Sequence, residues 1–316
     1  MVNGLNDIGV KTVLNREDGL VEGPSAPPKD GHDEQTPEGN FLRPMPVFLT
    51  VDQRPLCLEG LYRDRSAFLL ASGPSFASLN YSLLHEPGVL TIGLNNSVKT
   101  FRPNLWVCVD DPDHFIRSVW LDPTLLKFAP DYQADKFIFN SDEWKFTDLR
   151  VRDCPAVVYF KCNEHFQANQ YLYEDSVNWG NSKDYGGGRS VMLAALRILF
   201  VLGIRRVYLL GVDFKMDATT KYHFEQDRSE ASITGNNATY PKLNQWLKEL
   251  RPLFEERNFF VFNCNPESNL KAFDFLSFEE ALRRVRCEFD NIDIRSERTR
   301  GLYETATKEK QAGIGK

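Results

Sequence analysis

The sequence has no long apolar run, no excess of positive charge and no pair of cysteines at metal-binding spacing. Its most apolar stretch, Val191 to Leu202 with Arg197 inside it, falls well short of the ~20 residues a helix needs to cross a bilayer, so it reads as a buried helix. No basic segment followed by an apolar run opens the chain, which removes the sign of a secretory leader; the expectation is a soluble, cytoplasmic protein. Lys and Arg number 38 against 44 Asp and Glu, a net charge of -6. Coating nucleic acid needs clustered cations, so such a partner is not expected, although a local basic groove stays open. The cysteines Cys57, Cys108, Cys154, Cys162, Cys264 and Cys287 are scattered without C-x-x-C spacing, as reduced cytosolic thiols would be.

What is present is an ordinary globular composition, 42% hydrophobic and 26% charged over 316 residues, enough for one sizeable α/β core. Residues 1–40 concentrate Pro, Gly, Asp and Glu, as in Glu22-Gly-Pro-Ser-Ala-Pro-Pro28, and bury too little apolar surface to fold. They are expected to form a disordered acidic tail, and residues 296–316 a polar C-terminal one. Between them, over 41–295, short apolar runs alternate with helix-like patterns: Phe68-Leu-Leu-Ala, Val89-Leu-Thr-Ile, Leu105-Trp-Val-Cys-Val, Phe137-Ile-Phe, Val157-Val-Tyr-Phe, Val207-Tyr-Leu-Leu and Phe259-Phe-Val-Phe. β runs joined by crossovers imply a mostly parallel sheet flanked by helices, a Rossmann-like single domain. Helices are expected from Ser190 to Leu202 and from about Tyr240 to Arg257, the second with Leu243, Trp246, Leu247, Leu250 and Leu253 on one face. The less regular stretch Phe115 to Arg152 reads as a lid or an insertion.

Four constellations could carry chemistry. The strand at Phe68 runs into Ser72-Gly73-Pro74-Ser75, and a small turn at the carboxyl end of a parallel strand lets backbone N–H groups approach an anion; an ordinary turn capped by Ser75 is the alternative. Asp184-Tyr-Gly-Gly-Gly-Arg-Ser190 opens the apolar helix, so Gly187, Gly188, Arg189 and Ser190 combine amides, a helix N-terminus and a cation suited to phosphate. The spacing is not that of a Walker A loop. After the strand at Val207 comes Asp213, with Lys221, Tyr222 and His223 on the loop beyond, a layout suited to general acid/base work. Finally, Asp110, Asp111 and Asp113 follow Val109, where carboxylates could hold Mg²⁺, contact a ribose or an acceptor hydroxyl, or form an acidic turn stopped by Pro112.

In order and spacing, Ser72-Gly-Pro-Ser75, Gly93-Leu-Asn-Asn96, Pro103-Asn-Leu-Trp-Val-Cys-Val-Asp110, Gly187-Gly-Arg-Ser190, Leu210-Gly-Val-Asp-Phe214 and Asn263-Cys-Asn-Pro-Glu-Ser268 form a set. That set resembles the superfamily of 6-hydroxymethylpterin diphosphokinase-like proteins, motility-associated-factor glycosyltransferases and bacterial sialyltransferases, over about Ser66 to Leu282. The resemblance implies that Gly73, Pro74, Ser75, Asn95 or Asn96, and Gly187 to Ser190 hold a cytidine-linked sugar. It also implies metal-free chemistry, with His223 as the base, Tyr222 beside it and Tyr185 as a phosphate donor. His223 lies nearer the Gly-x-Asp-Phe motif than the sialyltransferase histidine does, so Glu225 or Asp213 are alternative bases. The turn reads Ala-Ser-Gly-Pro-Ser instead of Gly-Asn-Gly-Pro-Ser.

The leading expectation is therefore a glycosyltransferase taking a nucleotide-sugar donor, needing no cofactor, with the acceptor hydroxyl and the oligomeric state left open. One alternative is an ATP- and Mg²⁺-dependent diphosphokinase whose metal sits on Asp110, Asp111 and Asp213. The other is a nucleotide-binding module without catalysis. EDTA sensitivity separates the first two, and binding without turnover marks the third.

Overall fold

The structure, a computed structural model, describes residues 47–217, 222–224 and 229–288; the tails expected over 1–40 and 296–316 lie outside these residues. In chain order the strands are β1 Phe48–Leu49, β2 Pro55–Leu56, β3 Ser66–Leu70, β4 Thr91–Leu94, β5 Leu105–Val107, β6 Leu126–Pro130, β7 Phe137–Asn140, β8 Lys145–Arg150, β9 Val157–Phe160, β10 Cys162–Asn163, β11 Val177–Asn178, β12 Arg206–Leu210, β13 Phe260–Asn263 and β14 Asp274–Phe275. The helices are α1 Arg117–Leu121, α2 Val191–Val201, α3 Glu230–Glu256 and α4 Phe278–Cys287.

Ten strands make one sheet in the order β14-β13-β12-β3-β4-β5-β6-β9-β1-β2. Every pairing in it is parallel except those of β1, which runs against both β9 and β2. The mostly parallel sheet read from the sequence is therefore the observed one. Its central strand β3 is buried along its whole length, and alternation sorts its side chains. Ala67 and Leu69 pack with α2 and α3, while Phe68 and Leu70 pack with Phe278, Leu282 and Val285 of α4. Helices thus cover both faces, which is why β3 and β12 read as continuous apolar runs and not as alternating ones.

Helix α2 is apolar nearly all round because it is buried between the sheet and its neighbours. Its one charge, Arg197, is 1% exposed and donates through Nη2 to the Glu174 carbonyl at 2.7 Å. Ser190 caps the helix, its Oγ accepting from the Met192 amide at 3.2 Å, as expected for a serine at this position.

Three expectations are corrected. Phe137-Ile-Phe does not join the main sheet; β7 pairs with β8 in a separate antiparallel hairpin turning near Trp144, whose φ is 51°. Only alternate residues of β7 are buried, so its aromatics suit a half-exposed ribbon. The stretch Phe115 to Arg152 is no mere insertion, since it supplies β6 to the middle of the sheet. β6 was hidden by a lysine and a proline in its five residues. And α3 begins ten residues before the expected Tyr240. Gly235, Asn236, Asn237 and Thr239 are poor helix formers, but Asn237 ties the early turns down by accepting from the Met216 amide at 3.0 Å and donating to its carbonyl at 2.8 Å.

The lysine in β6 is structural. Lys127 is fully buried, and its ammonium donates to the carbonyls of Asp122 at 2.5 Å, Leu125 at 3.0 Å and Pro155 at 2.7 Å. Burial pushes its pKa down to about 8. Lys127→Met keeps the stem volume and leaves three carbonyls without their donor. It is expected to cost about 2 kcal/mol, seen in thermal denaturation as a Tm roughly 4–8 °C lower.

Candidate active site

The site follows from the order of the strands. From β3 the chain moves outward through β4, β5, β6 and β9 on one side. It then returns through α2 to β12, β13 and β14 on the other. The loops leaving β3, β4 and β12 consequently diverge at the carboxyl edge of the sheet, the position where open α/β sheets form their ligand crevice. A cleft of about 1000 Å³ lies there.

Of the residues singled out from sequence, Ser72 and Gly73 after β3, Asn95 and Asn96 after β4, Asp110 after β5 and Asp213 after β12 line this cleft. So do Gly187, Gly188, Arg189 and Ser190 at the start of α2, and Tyr222. Pro74, Ser75 and His223 are not among its lining residues, nor are Asp111 and Tyr185. Tyr185 instead stacks on His165 with ring centroids 4.4 Å apart. Lys221 and Glu225 lie outside the described residues.

Two amides of the turn after β3 are engaged within the protein. Gly73 N–H donates to the Gly211 carbonyl at 2.8 Å, Ser75 N–H donates to Asp213 Oδ2 at 3.0 Å, and the Ser75 hydroxyl donates to Asp213 Oδ1. Asn265 Nδ2 adds a further bond to Asp213 Oδ1 at 2.8 Å. Asp213 is 4% exposed, and its carboxylate is held by three donors from two elements. It therefore acts as the latch that fixes the Ser72–Ser75 turn against β12. The fit admits no side chain at Gly73: a Cβ there would stand 2.3 Å from the Gly211 carbonyl oxygen and 2.6 Å from Asp213 Oδ2.

The glycine loop is also more self-contained than expected. Gly186, Gly187 and Gly188 all take positive φ, at 85°, 68° and 103°, conformations that favour glycine. Gly186 N–H and Gly187 N–H donate to the carbonyls of Lys183 and Ser182, and Ser190 N–H to that of Trp179. Lys242 closes the loop from α3, donating to the Gly186 carbonyl at 2.5 Å. What α2 presents to the cleft is its positive dipole end, through Val191 and Met192. Beside it is the Arg189 guanidinium, 4.5 Å over the Trp179 ring and 3.1 Å from Glu164 Oε1.

On the β4 side, Asn95 adopts the left-handed conformation, φ 45°, pinned by Trp106 Nε1 donating to its carbonyl at 2.8 Å. Its Nδ2 donates to Asp110 Oδ2 at 2.8 Å. Asn96 is buried and donates to the His114 carbonyl. Asp111 pairs with Lys136 on β7's side of the molecule. The three aspartates weighed as a metal site are thus engaged by separate partners, and among the described residues no three His, Cys, Asp or Glu side chains cluster as metal ligands.

His223 stands just behind the first turn. Its backbone amide donates to the Ser72 carbonyl at 3.1 Å, and its ring packs 4.8 Å from that of Phe76. Burial pushes its pKa below the usual histidine value, against the opposing pull of the Ser72 and Gly73 carbonyls and of Asp213. Burial thus disfavours the charged form of this imidazole, which is adjacent in sequence to cleft-lining Tyr222.

Sequence reading missed half of the cleft. Lys183 and Lys215 add cations to Arg189 in the lining, and Trp179 and Asn181 belong to it as well. A face of α3 also lines it: Ser232, Gly235, Asn236, Thr239, Tyr240 and Leu243. The i, i+3, i+4 spacing of this mostly polar stripe was its one signal.

No protein-family model matches the chain, and a comparison with curated proteins gives no match. Among solved structures it is similar to a MAf glycosyltransferase from Magnetospirillum magneticum AMB-1, with 13% identity and a TM-score of 0.40 over 73% of this chain. The chain spans 38% of that protein's length. It is also similar to the sialyltransferase CstII from Campylobacter jejuni in two complexes. With the substrate analogue CMP-3FNeuAc the identity is 15% and the TM-score 0.37, over 68% of this chain and 86% of that one. With cytidine-5'-monophosphate they are 13% and 0.35, over the same shares.

Proposed function

We propose that the protein is a glycosyltransferase that moves a sugar from a nucleotide-sugar donor, cytidine-linked in the leading version, to an acceptor hydroxyl. The observation that carries this reading is the division of the cleft. The α2 N-terminus with Lys183 and Arg189 forms a cationic part of the lining, while the α3 residues Ser232, Gly235, Asn236, Thr239, Tyr240 and Leu243 form an uncharged part. A volume of about 1000 Å³ suits a ligand with an anionic and a neutral half, at the upper end of the usual size for small-molecule sites.

In this reading the nucleotide lies along the turns after β3 and β4, with Asn95 and Asp110 toward its ribose. The leaving phosphate gathers negative charge against cations and a helix dipole already in place, which lowers the barrier to its departure. Asp213 holds the Ser72 turn and does no proton transfer. His223, next to cleft-lining Tyr222, is the base for the acceptor hydroxyl in this reading, a role that requires its ring, buried behind the Ser72 turn, to swing toward the cleft when substrates bind.

Thermal-shift measurements with CMP, CDP, UDP, GDP and ATP, each with Mg²⁺ and with EDTA, test the reading. A ligand bound only by the folded state raises Tm, by an amount equivalent to about 2.7 kcal/mol at a hundredfold excess over Kd. Stabilisation by CMP in EDTA is expected. Stabilisation by ATP alone, and only with Mg²⁺, would transfer the proposal to diphosphate transfer, and binding without turnover of any sugar donor would leave a binding module.

A further inference from the structure

Gly235 is the sixth residue of α3, well inside a 27-residue helix. Glycine is among the worst residues for a helix interior, and three features usually account for one there. A positive φ is the first, but Gly235 is not among the positive-φ glycines. A close packing partner is the second, but among the described residues a Cβ built at Gly235 meets nothing within 4 Å, in contrast to Gly73 and Gly188. A helix end is the third, and the Ser229 cap lies six residues earlier. What Gly235 borders is the cleft.

Of the polar groups beside it, Thr239 donates to the Gly235 carbonyl at 2.9 Å and Ser232 pairs with Ser229, whereas one has a weaker match. Asn236 Nδ2 donates to the thioether Sδ of Met216 at 3.1 Å, a weak acceptor. Trp179, another lining residue and 6% exposed, has a buried indole N–H with no acceptor among the described residues. Buried donors of this kind ordinarily find a partner.

We infer that the α3 wall receives the sugar of the donor and that Gly235 sets which sugars fit, by leaving open the volume that the ring occupies. The inference rests on the glycosyltransferase reading. The ligand class is an uncharged, polyhydroxylated face of a sugar, which takes the Asn236 amide in place of a thioether and lies over the backbone of Gly235.

The test uses the full chain and two variants, Gly235→Ala and Gly235→Phe. Affinities are measured calorimetrically for three pairs: CMP and CMP-N-acetylneuraminate, UDP and UDP-N-acetylglucosamine, GDP and GDP-mannose. The comparison is made on the pair that binds the wild-type chain. Gly235→Ala is expected to melt about 2–4 °C above wild type, because the substitution favours the helix and meets no neighbour; this establishes that the site tolerates a side chain. Gly235→Phe is expected to bind the free nucleotide as wild type does and to lose at least about tenfold in affinity for the nucleotide-sugar. Wild-type affinity of Gly235→Phe for the nucleotide-sugar would overturn the inference, and so would an equal loss for both members of the pair, which would put the nucleotide on α3. If the wild-type chain binds no member of any pair, the glycosyltransferase reading itself fails and the inference with it, an outcome distinct from a failure confined to the variants.

Discussion

Gly73→Ala is expected to lower stability by about 3 kcal/mol, the upper range for overpacking a rigid site, and to abolish nucleotide binding. The added methyl would sit 2.3 Å from the Gly211 carbonyl oxygen and 2.6 Å from Asp213 Oδ2. Neither atom can retreat cheaply. The carbonyl already accepts the Gly73 amide, and the carboxylate is tied to Ser75 and Asn265. For a domain of this size the cost corresponds to a Tm roughly 6–12 °C lower, measurable by calorimetry. Gly187→Ala is the control, because there a Cβ meets nothing within 4 Å and only the positive φ of 68° is strained, at about 1–2 kcal/mol. If Gly73→Ala melted like wild type and bound nucleotide normally, the tight seam between β3 and β12 would be irrelevant to the site.

His223→Ala is expected to reduce sugar transfer by about 10²–10⁴-fold, the usual contribution of a general base, while nucleotide affinity stays within about twofold, since in this reading the histidine serves the acceptor and not the nucleotide. Single-turnover rates and calorimetric affinities on the donor found by the thermal panel separate the two quantities. Equal loss of both would make His223 a packing residue behind the Ser72 turn. The pH dependence has a definite sign. The folded-state pKa is depressed below the unfolded value of about 6.5, so the unfolded chain takes up the proton first. Stability from the neutral imidazole is complete above about pH 6.5 and is lost as pH falls from there through the folded-state pKa. The acidic limb of the rate profile should lie in the same window, and His223→Phe should remove the contribution to stability.

How far the sequence could be read depended on whether a feature was local. The runs at Phe68, Leu105, Val157, Val207 and Phe259 announced strands of a mostly parallel sheet, because strands buried on both faces need apolar residues in unbroken series. Ser190 and the apolar segment after it announced α2 and its cap. Where composition contradicted position, the reading failed. Lys127 and Pro130 concealed β6, although three carbonyls make the lysine a good core residue. Gly235, Asn236 and Asn237 concealed the first turns of α3, which are held by Met216 through a contact twenty-one residues away in sequence.

The candidate site divides in the same way. That Ser72, Gly73, Asn95, Asn96, Asp110, Gly187–Ser190 and Asp213 come together at one cleft was legible, since each follows a strand or opens a helix and a parallel sheet brings such ends to one edge. What each of them does there was not. Asp213 read as an acid, a base or a metal ligand, and its carboxylate is found holding Ser75 and Asn265; the amides of Gly73 and Ser75 read as an anion cradle and face inward. The direction in which a turn points its N–H groups depends on which acceptor the neighbouring strand brings within 3 Å, and that is set by the pairing of β3 with β12, strands separated by more than a hundred residues. The sequence by itself thus determined the elements, their class of sheet and the set of residues at its carboxyl edge, because propensity and periodicity act over a few neighbours. Only the tertiary structure decided which donors remain for a ligand and that α3 closes the cleft, because a hydrogen bond satisfied across the fold is withdrawn from the site.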